Sequence, residues 1–237
     1  MQIDWFSQTG SERTNNCDAG CYGVTDRSII LAIVDAAESE KAQEFSKYWA
    51  EILVQAGSNF GYLKDADGVI GELANAQSGL RHRFLHAIAS YALAVIHIPT
   101  GEGLLFSAGD CLVGTSADNS VDLGGVNWLN SPHTADRQMS EMDETPPSPA
   151  SGVEHVLTRC INAKRFATPD STSFSISEGQ NLILATDGCW REPPEQANCQ
   201  KSDDSSTLRL TWTVGDLNVH QESDTENLWT YKGTSNA

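Results

Sequence analysis

A chain of 237 residues fits one large domain, since single domains of up to about 250 residues are ordinary. Its 32 acidic against 15 basic residues give a net charge of -17, which repels phosphate backbones and anionic lipid and argues against nucleic-acid and membrane partners. No stretch reaches the ~18 apolar residues of a membrane span, and Met1-Gln2-Ile3-Asp4 lacks the basic-then-apolar order of a secretion signal, so a cytoplasmic, monomeric protein is expected.

In chain order, Ile29 to Val34 (IILAIV) is a short, branched apolar run that predicts a strand buried on both faces. From Ser39 as N-cap, Ala42, Phe45, Trp49, Ile52, Leu53 and Ala56 recur at helical spacing. Leu73, Ala76, Leu80, Phe84 and Ile88 predict a second helix, with Arg81, His82 and Arg83 among them. Tyr91 to Ile98 and Leu104 to Phe106 flank Pro99-Thr100-Gly101-Glu102-Gly103 and read as a hairpin. A third, shorter helix fits Val153 to Ile161, with Val153, Val156, Leu157 and Cys160 on one stripe, and Leu182 to Ala185 and Leu208 to Leu210 read as later strands. Ser140 to Gly152 and Arg191 to Ser206, rich in proline, serine and acids, are expected to be mobile loops. Helices on antiparallel hairpins, without βαβ alternation, predict an α+β layered domain. The six cysteines (Cys17, Cys21, Cys111, Cys160, Cys189 and Cys199) show no CxxC pair and no zinc-ligand spacing, so reduced thiols are expected.

Certain acids sit at the ends of these apolar runs. Asp35 follows IILAIV, Asp187 follows LILAT, and Asp203-Asp204 precede the Thr207 to Leu210 run. An antiparallel last strand would bring them all to one edge of a sheet. Crowded carboxylates raise one another's pKa unless a cation neutralises them, and hard oxygen ligands without Cys or His select Mg²⁺ or Mn²⁺ over zinc. Aspartate is also a common turn former after strands, which is the ordinary reading of each acid alone.

Five elements in order carry a family resemblance over about residues 5 to 212. They are Arg13-Thr14-Asn15-Asn16-Cys17-Asp18, Val34-Asp35-Ala36, Gly109-Asp110, Thr186-Asp187-Gly188-Cys189-Trp190 and Asp203-Asp204-Ser205-Ser206. The chain thereby resembles the PP2C-type (PPM) metal-dependent serine/threonine phosphatases, as a divergent bacterial-type member. His155 to Arg159 further resembles a helix that this family places before its penultimate strands.

The resemblance implies one domain over residues 1 to 237, with 213 to 237 as an extension or a last strand and tail. Its fold would be a four-layer αββα sandwich of two antiparallel sheets flanked by helices. Two Mg²⁺ or Mn²⁺ ions would activate a water against phosphoserine or phosphothreonine, with no protein nucleophile. By the same resemblance Asp35 bridges the ions, Asp187 and Asp203 complete one of them, and Asp18 holds metal-bound water. Ala36 offers a backbone carbonyl, Asp204 belongs to the same ligand group, and Arg13 grips phosphoryl oxygens with its guanidinium fork. Asp110 corresponds to a residue that supports the hairpin. A phosphoprotein and a cognate Ser/Thr kinase system are the implied partners.

Three departures stand out. The family's D-G-x-G-G is Asp35-Ala36-Ala37-Glu38-Ser39, Cys17 stands where Glu or Gln is usual, and Pro132 replaces a third-metal aspartate before His133. A catalytically weak or inactive PP2C-like domain that acts as a binding partner in a signalling complex is therefore the alternative. An N-terminal nucleophile amidase is disfavoured, because no Cys, Ser or Thr follows Met1.

Overall fold

The computed structural model describes residues 1–59, 65–117, 123–142, 152–191 and 201–233. Thirteen strands and four α-helices alternate through them. The strands are β1 (Gln2–Gln8), β2 (Asp18–Val24), β3 (Ser28–Ala36), β4 (Ile88–His97), β5 (Glu102–Ala108), β6 (Leu112–Ser116), β7 (Asn127–Trp128), β8 (Ile161–Asn162), β9 (Asp170–Ser175), β10 (Asn181–Ala185), β11 (Ser205–Thr211), β12 (Asn218–Ser223) and β13 (Leu228–Thr230). The helices are α1 (Ala42–Asn59), α2 (Ala66–Ser78), α3 (Ala135–Glu141) and α4 (Asp187–Trp190).

The strands form two sheets, ordered β12-β1-β11-β10-β6-β7 and β13-β2-β3-β4-β5-β9, with β8 beside β4. Pairing is antiparallel except at one edge of each sheet, where β12 lies parallel to β1 and β13 parallel to β2. Helices flank the sheets unequally. The long α1 crosses β2, β3 and β4, and α2 packs on α1, whereas the short α4 packs against β11 of the other sheet. The result is the expected α+β class of two sheets flanked by helices.

The IILAIV run forms the centre of its sheet because both of its faces find apolar partners. Ile29, Leu31 and Ile33 pack toward the other sheet with Ile3, Trp5, Leu182, Leu184, Leu208 and Leu210. Ile30, Ala32 and Val34 pack toward the helices with Phe45, Trp49 and Leu53. All of these side chains are buried, and burying each Leu, Ile or Phe contributes roughly 1.5–3 kcal/mol. That double core fixes the ends of β3 and β10 relative to each other.

Several local expectations need correction. The first helix begins at Ala42, because Ser39 closes a turn by accepting from the Ala42 N–H through its backbone carbonyl. The second helix starts at Ala66 and ends at Gly79; Leu80–His82 is a 3-10 turn, and Ile88 is already in β4. Its Leu73, Leu80 and Phe84 are all buried, so the apolar spacing outlived the helix that was inferred from it. No helix spans 153 to 161: Val153–His155 is a 3-10 turn, Leu157 bridges to Thr134, and Ile161 begins β8. Of the two expected loops, 143–151 and 192–200 lie outside the described residues, whereas Ser140 lies in α3, Arg191 caps α4 and Ser205-Ser206 open β11. The C-terminal segment contributes β12 and β13, and Asn227 between them accepts from the Trp5 indole N–H at 2.9 Å and donates to the Ser7 hydroxyl at 2.7 Å.

Candidate active site

Strand polarity gathers the acids at one end of the sandwich. β3 ends there at Asp35-Ala36 and β10 two residues before Asp187, and β2 and β11 begin there, at Asp18 and just after Asp203-Asp204. The edge proposed from sequence is therefore the shared end of two sheets, since Asp35 belongs to one and Asp187 and Asp203 flank strands of the other. The register sets Asp18 opposite Asp35, and Asp35 opposite Ser90.

A cleft of about 420 Å³ opens at this end, lined among others by Arg13, Cys17, Asp35, Ala36, Asp110, His155, Asp187, Asp203 and Asp204. Asp18 lies beneath it, 2 % exposed. The glycines of the two short acidic motifs have steric causes. A Cβ on Gly188 would sit 2.1 Å from the Asp204 carbonyl oxygen, and Gly109, at φ +102°, would press a Cβ to 2.1 Å from the Ser90 hydroxyl.

Each carboxylate has its own company. Asp204 accepts the backbone N–H groups of Gly10 at 3.0 Å and Cys17 at 2.7 Å, which ties the chain ahead of β11 to the 10–17 loop. Asp203 receives both arms of the Arg13 fork, at 2.6 and 2.7 Å, and Glu38 stands 3.8 Å from the same guanidinium. Asp110 accepts from the Ser90 hydroxyl at 2.6 Å and from Arg191 at 3.0 Å. The Arg191 Nε is 3.3 Å from Asp187 and makes no aligned hydrogen bond. Thr186 donates to one oxygen of Asp18 at 2.9 Å, while the other, Oδ1, is buried without a partner.

These surroundings displace the proton equilibria. Burial pushes Asp18 well above the ordinary carboxylate range, and Asp204 and Asp187 add to this against hydrogen bonds from Ser206 and Thr186. Burial does the same to Asp35, reinforced first by Asp18 and then by Asp187, Asp110 and Asp203. Asp187 rises to about 6, through burial and the charges of Asp110 and Asp203, with Arg191 opposing. Burial pushes the Cys17 thiol up to about 12, reinforced by the charges of Asp204 and Asp18. The Asp203 hydrogen bond holds Arg13 firmly protonated.

The donor set suits a hard divalent cation: it is all oxygen, anionic beyond what the local cations offset, and contains one orphaned buried carboxylate atom. Among the described residues, however, no three His, Cys, Asp or Glu side chains converge closely enough to form a ready cage. His133 and Pro132 lie apart from this cleft, on a second one of about 320 Å³ with Arg137, Arg159 and Asp170. His133 is held there by Asp170 at 2.8 Å and by the backbone of Gly109.

Sequence reasoning missed Arg191, which had been assigned to a loop. The available signal was its i,i+4 spacing from Asp187 in Thr186-Asp187-Gly188-Cys189-Trp190-Arg191, which puts both on one helical face. Trp190, read from sequence only as part of the motif, donates its indole N–H to the Asp110 carbonyl at 3.0 Å, and its ring lies 4.6 Å from the Arg191 guanidinium.

No family profile and no curated protein matches the chain at the sequence level. Solved structures do match in fold. A Streptococcus (S. agalactiae) serine/threonine phosphatase superposes with a TM-score of 0.67 at 13% identity, covering 89% of this chain and 99% of its own. The PPM Ser-Thr phosphatase MsPP from Mycobacterium smegmatis, in complex with cacodylate, gives 0.62 at 18%, covering 88% and 97%. The catalytic domain of the serine/threonine phosphatase PstP, in complex with two manganese ions, gives 0.62 at 14%, covering 87% and 96%. The chain therefore has the fold of the PPM phosphatases over nearly its whole length.

Proposed function

We propose that this chain is a divergent bacterial-type PP2C phosphatase that hydrolyses phosphoserine or phosphothreonine in proteins, using Mg²⁺ or Mn²⁺. The observation that carries the reading is the meeting of Asp35, Asp187, Asp203 and Arg13 around one cleft, with the buried Asp18 as register partner of Asp35, at one end of a fold shared with such phosphatases. Asp18, Asp35, Asp187 and Asp203, with the backbone of Ala36, are the groups that would hold divalent cation, whereas both oxygens of Asp204 are already committed to backbone N–H groups. When bound, the cation supplies an acidified water and offsets phosphoryl charge.

The chain's own residues do the rest. Arg13 offers a charged planar fork to phosphoryl oxygens. To His155, which lines the cleft, we assign the proton given to the departing serine or threonine oxygen. Residues 1 to 237 act as one monomeric domain in the cytoplasm, opposite a cognate kinase.

The test is hydrolysis of p-nitrophenyl phosphate and of phosphoserine peptides with Mn²⁺, comparing wild type with Asp35→Asn and Asp187→Asn. Metal-dependent turnover lost in both variants supports the enzyme. Turnover that is absent, or indifferent to chelator, rejects it in favour of the second reading, a PP2C-like binding domain. That second reading draws on the Arg13–Asp203 pair, which occupies the phosphate-binding arginine, and on Cys17 in place of an oxygen ligand.

A further inference from the structure

The distribution of cations within the acidic cleft is uneven. Two arginines contact the acids that line it: Arg13, itself on the cleft wall, and Arg191 behind Asp110 and Asp187. Arg13 takes Asp203 in a two-pronged contact, and Arg191 lies between Asp110 and Asp187, with its side chain only 15% exposed. Trp190 keeps Arg191 in place, since its ring lies against the guanidinium and its N–H grips the Asp110 backbone. Backbone N–H groups satisfy Asp204. On the β2–β3 half, among the described residues, no basic side chain forms an ion pair with Asp18 or Asp35. Those two are register partners on adjacent strands, and the Oδ1 atom of the 2% exposed Asp18 has no hydrogen-bond partner.

Building on the phosphatase reading and narrowing its set of four acids, we propose that Arg191 is a resident cation behind the cleft, standing in at Asp187 for one of two metal ions, so that the protein binds a single divalent cation at Asp18 and Asp35. Arg191 lies 3.0 Å from Asp110 and 3.3 Å from Asp187, and a guanidinium keeps its charge at any working pH, so this counter-charge is permanent, unlike that of an exchangeable ion. Cys17 offers no oxygen beside Asp18. Arg191 is thus a positioning residue: it sets the direction of Asp187 and the cation stoichiometry, and it does not touch the reacting phosphorus.

The experiment measures Mn²⁺ on the full chain by calorimetric titration and by electron paramagnetic resonance, neither of which depends on turnover. One equivalent with the six-line spectrum of an isolated Mn²⁺ is expected, lost in Asp18→Asn and in Asp35→Asn. Arg191→Met, which removes the charge and keeps the apolar stem against Trp190, is expected to admit a second equivalent and the altered spectrum of a spin-coupled pair. Arg191→Lys retains a charge and is expected to stay at one. Two equivalents in the wild type, or no gain in a folded Arg191→Met, overturn the one-ion proposal and leave the phosphatase reading standing. No Mn²⁺ binding at all, in a folded wild type, overturns both. Because the wild-type count alone decides the first question, misfolding of a variant does not shield the proposal.

Discussion

The two halves of the acidic end are built from the same residue type and handled by opposite means. On the β10–β11 half, Asp187, Asp203 and Asp204 each have a guanidinium or backbone N–H groups within reach. On the β2–β3 half, Asp18 and Asp35 have the Thr186 and Ser206 hydroxyls, each other, and no basic partner among the described residues. A buried charge without a counter-charge costs several kcal/mol unless it is protonated or binds a cation. On the proposed reading, the β10–β11 half has its charge largely offset within the fold, and the β2–β3 half is where a cation would be bound.

The hardest blow to this contrast comes from Asp35→Asn. It should cost on the order of a thousandfold in Mn²⁺-dependent hydrolysis, the equivalent of several kcal/mol of cation stabilisation, while raising the melting temperature of the metal-free protein. A melting temperature that falls would mean that Asp35 already has a stabilising partner. Next in size, His155→Ala should slow phosphoserine-peptide hydrolysis about a hundredfold and p-nitrophenyl phosphate far less, because p-nitrophenolate leaves without needing a proton. Equal losses on both substrates would remove His155 from the proton-donor role. On the β10–β11 half, Asp204→Ala should lower stability by about 2 to 3 kcal/mol in denaturant titration, since it orphans the N–H groups of Gly10 and Cys17. Opposite stability signs for residues 35 and 204 are the signature of the division.

Legibility in the sequence followed the same line. β3, the β4–β5 hairpin and α1 could be read because their side chains obey a period and are buried on a predictable face. Asp35, Asp187 and Asp203 could be singled out because each follows or precedes such a run, whereas Asp18 entered only through the family resemblance. Asp110 was expected only to brace the hairpin; it does hold Ser90, and it also faces the cleft. What could not be read depended on contacts between distant segments. Gly79 ends α2 although the apolar spacing continues, because Leu80 and Phe84 reach the same core from a turn. β12 is an exposed edge strand with no alternation of apolar residues, so nothing in Asn218–Ser223 announces it. Asn227 looks like any turn residue until Trp5 and Ser7 are found on either side of it.

The pH dependence of the metal-free fold tests the division more gently. Asp187 titrates near 6 in the folded chain against an unfolded value near 4, so the folded state binds the proton more tightly. Stability should thus be highest below about pH 4 as far as this group is concerned, fall as pH rises through 6, and level off above. Asp18 and Asp35, also raised, extend the decline in the same direction. Thermal melts in chelator should show this slope, and Mn²⁺ should flatten it, because the ion replaces the proton on the β2–β3 half. A slope that Mn²⁺ leaves untouched would place the cation away from these acids.

The smallest expected effect is the most pointed. Cys17 lies between the main cleft and a neighbouring one of about 260 Å³, and it borders both, so a longer side chain at this position has room to extend. Cys17→Glu would set a third carboxylate beside Asp18 and Asp35, neither of which pairs with a basic side chain among the described residues. Adding an oxygen ligand to a hard-cation site should tighten Mn²⁺ by about tenfold, near 1.4 kcal/mol, with a modest rise in hydrolysis. The same change also adds negative charge where none is offset, so in chelator the variant should melt below the wild type. Tighter binding together with a lower metal-free melting temperature would show that this half of the site is limited by ligands and not by geometry. Unchanged affinity in a folded variant would show that the backbone around Ala36 and Ala37, and not the missing oxygen, sets how closely a cation can approach.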